Sequence, residues 1–185
     1  MAIQHGRQIF HLSASFQRAE VGLDYHRNWR PPKDTLDEAI NQTTPVGRHF
    51  QAEFFDIHYV SRERVSEPDT LQFWIKAKQA LPSDLECHHS VMAYFSDMGL
   101  LMSSLVPHLD EHETLIEKTK SLVIASLDHA IWFHRPFRVD DWLFYTCKAQ
   151  STGNSRGLGF GRIYSEDGTL VATTSQEGLI RLRDQ

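Results

Sequence analysis

One run of the chain keeps helical spacing over several turns, and it limits what the rest can build. Over residues 85–105 the apolar side chains Val91, Tyr94, Phe95, Met98, Leu101 and Leu105 fall on one side of a helix. Ser83 or Asp84 can cap its free amides, and Pro107 closes it. Residues 50–60 read as a strand. In residues 71–77, Leu71, Phe73, Ile75 and Ala77 share one face, while Gln72, Trp74 and Lys76 share the other, the pattern of a half-buried strand. After the helix and a polar connection over 108–118, strands are expected over 120–132, 142–150, 156–164 and 169–182. Asp167-Gly168 supplies the turn before the last of them. Two strands, one apolar helix and a run of strands predict an α+β fold, an antiparallel sheet burying a single central helix.

Gly157, Gly159 and Gly161 fall at every second position of one expected strand, so one of its faces carries no side chains. Something must pack very close to that face, and the central helix is the natural candidate. Upstream, residues 2–16 suggest two extended runs around His5-Gly6, a hairpin. Residues 17–47, with Pro31-Pro32 and Pro45, look like a long connection holding one short helix over 35–41.

Composition excludes several function classes. The chain has 19 Lys+Arg against 24 Asp+Glu and no basic block, which argues against a nucleic-acid partner but leaves room for a small anionic ligand. Cys87 and Cys147 are too few for a disulfide scaffold and point to a reducing, cytoplasmic setting. The most apolar window, 90–106, is interrupted by Asp97 and too short to span a bilayer, and residues 1–10 lack a signal-peptide layout.

Three polar residues stand at otherwise apolar positions. Asp97 lies one helical turn from Ala93, Tyr94, Leu100 and Leu101. It is either at the solvent edge of the apolar stripe or a water-activating carboxylate. Ser126 shares a strand face with Leu122 and Ile124, where a core hydroxyl bonded to backbone is the plainer account. Gln176 shares a face with Leu170, Ala172 and Thr174, and its amide needs partners at both ends.

Three patterns mislead. Residues 153–157 match G-x-S-x-G around Ser155, but a strand follows the serine where a helix is required. The alternating glycines precede no helix, so they are not a dinucleotide fingerprint. His108 and His112 are four apart without the glutamate of a zinc helix, and no other metal-ligand spacing occurs, so neither metal nor cofactor is expected.

Read together, residues 126–137 (SLDHAIWFHRPF), 94–101 (YFSDMGLL) and 176–181 (QEGLIR) resemble the acyl-CoA thioesterase II, or TesB-type, family. So do 155–158 (SRGL), 167–172 (DGTLVA), 3–10 (IQHGRQIF) and 14–17 (ASFQ). The resemblance implies hotdog domains, each a curved antiparallel sheet wrapped around one long helix. It implies that residues 1–17 are the last strands of a first hotdog, 18–47 a linker, and 48–185 a C-terminal thioesterase domain. By motif, the family's water-activating Asp, Ser/Thr and Gln fall on Asp97, Ser126 and Gln176. The substrate implied is an acyl-CoA, with Arg156 and Arg135 as candidates to meet its phosphates. With one hotdog absent, a homodimer or larger homo-oligomer is expected.

Three other readings compete. One is a non-catalytic hotdog that binds acyl-CoA or itself. Another is a dehydratase or hydratase using His129 and Asp128, which adjacent strand positions would aim apart. The last is a serine hydrolase at Ser155.

Overall fold

The structure is a computed structural model describing residues 1–18, 20–26, 29–32, 34–36 and 51–183. Strands β1 (Ala2–Gln4) and β2 (Arg7–Phe10) form the expected hairpin, with positive φ at His5 and Gly6. It is a separate, largely exposed two-stranded sheet. The remaining strands make one seven-stranded sheet, antiparallel at every pairing. They are β3 (Phe55–Tyr59), β4 (Thr70–Ala77), β5 (Leu122–Ser126), β6 (Ala130–Phe133), β7 (Leu143–Gly153), β8 (Arg156–Ser165) and β9 (Leu170–Leu182). The spatial order is β3-β4-β7-β8-β9-β5, and β6 also pairs with β9. This is the α+β arrangement that the sequence pattern predicts and the hotdog architecture that the family resemblance implies.

The central helical run packs on the sheet's inner face but is not continuous. Helix α2 (Leu85–Phe95) follows one short turn, α1 (Gln51–Phe54), in chain order. Asp84 caps α2, its carboxylate accepting from the amides of Glu86 at 3.3 Å and Cys87 at 3.2 Å. The run then breaks over residues 96–99 and resumes as α3 (Leu100–Ser103). Gly99 has φ +84°, and a Cβ there would stand 2.7 Å from the Phe73 ring. Tertiary crowding against β4 therefore turns the backbone where apolar spacing alone reads straight through. Pro107 lies within a following 3₁₀ turn, Val106–His108.

The glycine stripe works in two ways. A Cβ on Gly159 would lie 2.5 Å from the carbonyl oxygen of Leu100, so α3 sits directly on the β8 backbone. Gly161 instead makes room for the Tyr145 ring, whose Cε2 would be 2.5 Å from an added Cβ.

Core residues line both faces of the sheet. On the inner face Phe73, Ile75, Tyr145 and Ile163 pack with Met92, Phe95 and Leu100 of the helices, all essentially inaccessible. On the outer face Trp74, Phe144 and Tyr164 are covered by Trp29 and Leu36. Trp29 lies 5.1 Å from both the Phe144 and Tyr164 rings, contacts worth about 1 kcal/mol each. The Trp74 indole donates to the Thr35 hydroxyl at 3.1 Å in a buried contact. Part of the expected connection is thus a cover for the sheet. Of the short helix expected over 35–41, only residues 35 and 36 are described, both helical; the rest lies outside the described residues.

Three expected elements differ. The strand anticipated over 50–60 starts at Phe55, after the α1 turn. The polar connection over 108–118 ends in a helix, α4 (Leu115–Lys120), opened by a capping box. There Thr114 Oγ1 accepts from the Glu117 amide at 3.2 Å, and the Glu117 carboxylate accepts from the Thr114 amide at 2.9 Å. The strand anticipated over 120–132 is split into β5 and β6. The amides of Leu127 and Asp128 both donate to the Glu177 carbonyl, at 3.0 and 3.3 Å. From Ser126↔Gly178 to Ala130↔Ser175, the edge strand spends four residues where β9 spends three, so a β-bulge absorbs the extra one.

Candidate functional site

The helix break, the bulge and β9 bring three side chains together. Asp97 sits in the turn between α2 and α3, Ser126 ends β5 just before the bulge, and Gln176 stands mid-β9 opposite Gly159. The Gln176 amide nitrogen donates to Asp97 Oδ1 and, at 3.2 Å, to Ser126 Oγ. Ser126 Oγ donates to the same carboxylate oxygen at 3.4 Å. Gln176 is fully buried, whereas Asp97 and Ser126 are exposed. Asp97 is therefore at the solvent edge and in a polar cluster at once.

The chemistry open to this cluster follows from its donors and acceptors. Asp97 offers a carboxylate at the rim, able to take a proton from water. Ser126 and Gln176 supply a hydroxyl and an amide that fix geometry around it. Gln176 Oε1 is buried and has no hydrogen-bond partner among the described residues, so one acceptor remains to be met inside the cluster. Ser126 hydrogen-bonds to Asp97 and Gln176 and, among the described residues, to no histidine, so the arrangement does not resemble a serine nucleophile with its base.

A fourth group borders the cluster. His129, just past the bulge, places Nε2 2.8 Å from Ser96 Oγ, and its Nδ1 is buried without a partner among the described residues. Burial holds this imidazole below its ordinary pKa, against the pull of the Asp97 and Asp128 carboxylates. Asp128 turns elsewhere: its carboxylate accepts from the Glu177 amide at 2.8 Å. The His129–Asp128 acid–base pair thus divides between two different partners. Sequence spacing gave no sign of the contact between His129 and Ser96.

The other candidates lie apart from the cluster. Arg135 is held by the Asp24 carboxylate, by the Leu170 carbonyl at 3.1 Å and by the Tyr25 carbonyl at 3.3 Å, which fastens residues 24–25 to the sheet. Arg156 pairs with Glu177 at 3.3 Å, on the face of β9 opposite Gln176, and remains half exposed. Ser155, with φ +58°, belongs with Asn154 to the tight hairpin turn between β7 and β8, not to a strand–helix elbow. Among the described residues, no group of three or more His, Cys, Asp or Glu side chains could hold a metal ion, and no helix is long and apolar enough to cross a membrane.

The sequence model of the acyl-CoA thioesterase family matches residues 46–179. Acyl-CoA thioesterase 2 of Haemophilus influenzae is 35% identical, with 99% of this chain aligned to 68% of that protein. Acyl-coenzyme A thioesterase 8 of mouse is 34% identical over all of this chain and 62% of its own length. The chain thus spans somewhat under two thirds of the mouse relative. Among solved structures, the acyl-CoA thioesterase II TesB2 of Mycobacterium marinum superposes with a TM-score of 0.73 at 33% identity, over 91% of this chain and 61% of that one. A thioesterase-fold structure from Syntrophus aciditrophicus, at 14% identity and a TM-score of 0.58, shares the fold.

Proposed function

Since the chain belongs to the acyl-CoA thioesterase family, we propose that it hydrolyses fatty acyl-CoA to free fatty acid and CoA with a water activated by Asp97, Ser126 and Gln176. The observation that carries this reading is the convergence of a carboxylate, a hydroxyl and a buried carboxamide, donated by three separate elements, within hydrogen-bonding range. Asp97 accepts a proton as the water oxygen attacks the thioester carbonyl carbon. Ser126 and Gln176 hold that water in line, lowering the entropic part of the barrier. The tetrahedral intermediate then collapses, the C–S bond breaks, and the proton on Asp97 returns to the departing sulfur. Arg156, half exposed with Glu177 as its one partner among the described residues, is the side chain proposed to meet a CoA phosphate; Arg135 is the second candidate, more buried and held by Asp24, Tyr25 and Leu170.

The working form is proposed to be a homodimer or larger. One edge of the sheet, β5 with β6, is unpaired among the described residues, exposes Val123, Leu127 and Trp132 and carries Ser126. An apolar unpaired edge is an assembly surface. Both cysteines are free, in keeping with the reducing cytoplasm proposed as the setting.

The test is thiol release from straight-chain acyl-CoAs of graded length, paired with the mass in solution. Turnover is expected, together with a mass at least twice the 21.4 kDa of one chain. Binding of acyl-CoA without release of thiol would instead leave a non-catalytic binding domain.

A further inference from the structure

Asp97 stands on an exposed turn, and such a carboxylate needs something to hold it. The residue before it, Ser96, is fully buried and gripped from two sides. From the sheet, the Tyr145 hydroxyl lies 2.7 Å from the Ser96 carbonyl oxygen and 2.8 Å from Thr174 Oγ1. From the β5–β6 bulge, His129 Nε2 meets Ser96 Oγ at 2.8 Å.

The direction of each bond follows from counting protons. A carbonyl only accepts, so Tyr145 donates to Ser96, and the Thr174 hydroxyl must donate to Tyr145. Ser96 Oγ sits 3.0 Å from the Ala93 carbonyl and gives its one proton there. It therefore accepts from His129, which requires a proton on the imidazole Nε2. Burial pushes the Tyr145 phenol well up, so it stays a protonated donor.

We propose that Tyr145 and His129 are positioning residues that clamp Ser96 and so set the Asp97 carboxylate against Gln176 and Ser126. The clamp ties the two halves of the site together, because Thr174 lies two residues from Gln176 on the same face of β9. It also gives Gly161 a purpose: a side chain there would displace the ring that carries the Tyr145 hydroxyl. The inference rests on the hydrolytic reading of Asp97, and its test separates the two.

The experiment measures kcat and KM on straight-chain acyl-CoAs for the full chain and its variants, well below each melting temperature. Tyr145→Phe keeps the ring and loses the donor; kcat is expected to fall about tenfold or more, with KM within about twofold. His129→Leu should behave alike. His129→Gln, whose terminal amide can still donate to Ser96, should recover most of the rate. In an Asp97→Asn background, Tyr145→Phe should cause no further loss of the residual rate, although it lowers the melting temperature in both backgrounds. Where Tyr145→Phe fails to fold, Ser96→Ala removes the acceptor met by His129 together with the hydroxyl's bond to the Ala93 carbonyl, and the same fall in kcat is expected through the His129 arm of the clamp. Wild-type kcat in Tyr145→Phe, with Asp97→Asn inactive, would overturn the clamp and leave the hydrolytic reading standing. So would losses that multiply in the double variant. Wild-type turnover in Asp97→Asn would remove the hydrolytic reading and the clamp with it.

Discussion

Asp97→Asn should lower kcat for acyl-CoA hydrolysis by about a thousandfold, within the span that a positioned general base contributes. The substitution keeps shape and leaves an oxygen for the Gln176 amide to meet. It removes only the basicity proposed to deprotonate the attacking water. Because Asp97 is exposed, its loss should change folding stability by less than about 1 kcal/mol. Activity and stability therefore separate, and thiol-release kinetics beside thermal unfolding check both halves. Turnover within threefold of the parent chain would mean that the proton goes elsewhere.

Gly159→Ala should cost about 3 kcal/mol, the upper end of ordinary overpacking, and lower the melting temperature by roughly 6–12 °C. The added methyl would stand 2.5 Å from the Leu100 carbonyl oxygen, a backbone atom that cannot swing aside as a side-chain tip can. To admit it, α3 must lift off β8, and α3 begins three residues after Asp97. Hydrolysis should fall along with stability. Gly153→Ala is the control: nothing lies within 4 Å of that position, so its effect should stay within about 0.5 kcal/mol. Equal melting temperatures for the two variants would contradict the close approach of helix and sheet.

What the sequence made legible follows from which forces are local. The alternation of Leu71, Phe73, Ile75 and Ala77 identified β4 because one sheet face is buried under the helices. Trp74 sat on the face expected to meet solvent; its full burial depends on Trp29 and Leu36, far away in the chain. The helical run was readable from apolar spacing, but its break at Gly99 is set by the Phe73 ring, which no helical period reveals. The split of β5 from β6 is likewise dictated by the Glu177 carbonyl on another strand. The capping box at Thr114 and Glu117, in contrast, was written in plain spacing within a stretch that polarity alone assigned to a connection.

The site divides in the same way. Asp97, Ser126 and Gln176 each stood out as a polar group at an apolar position, so composition against period could find them. Ser96 and Tyr145 did not stand out, and His129 was weighed only as a partner of Asp128. A tyrosine in a core strand and a serine near a helix end are ordinary, and their roles arise only when the bulge and the helix break bring them together.

Rapid-quench thiol release with intact-mass analysis bears most directly on whether water attacks the thioester itself. The account predicts linear release from the first turnover and a chain of unchanged mass throughout. A burst of about one thiol per chain, with an acyl group left on the protein, would contradict it.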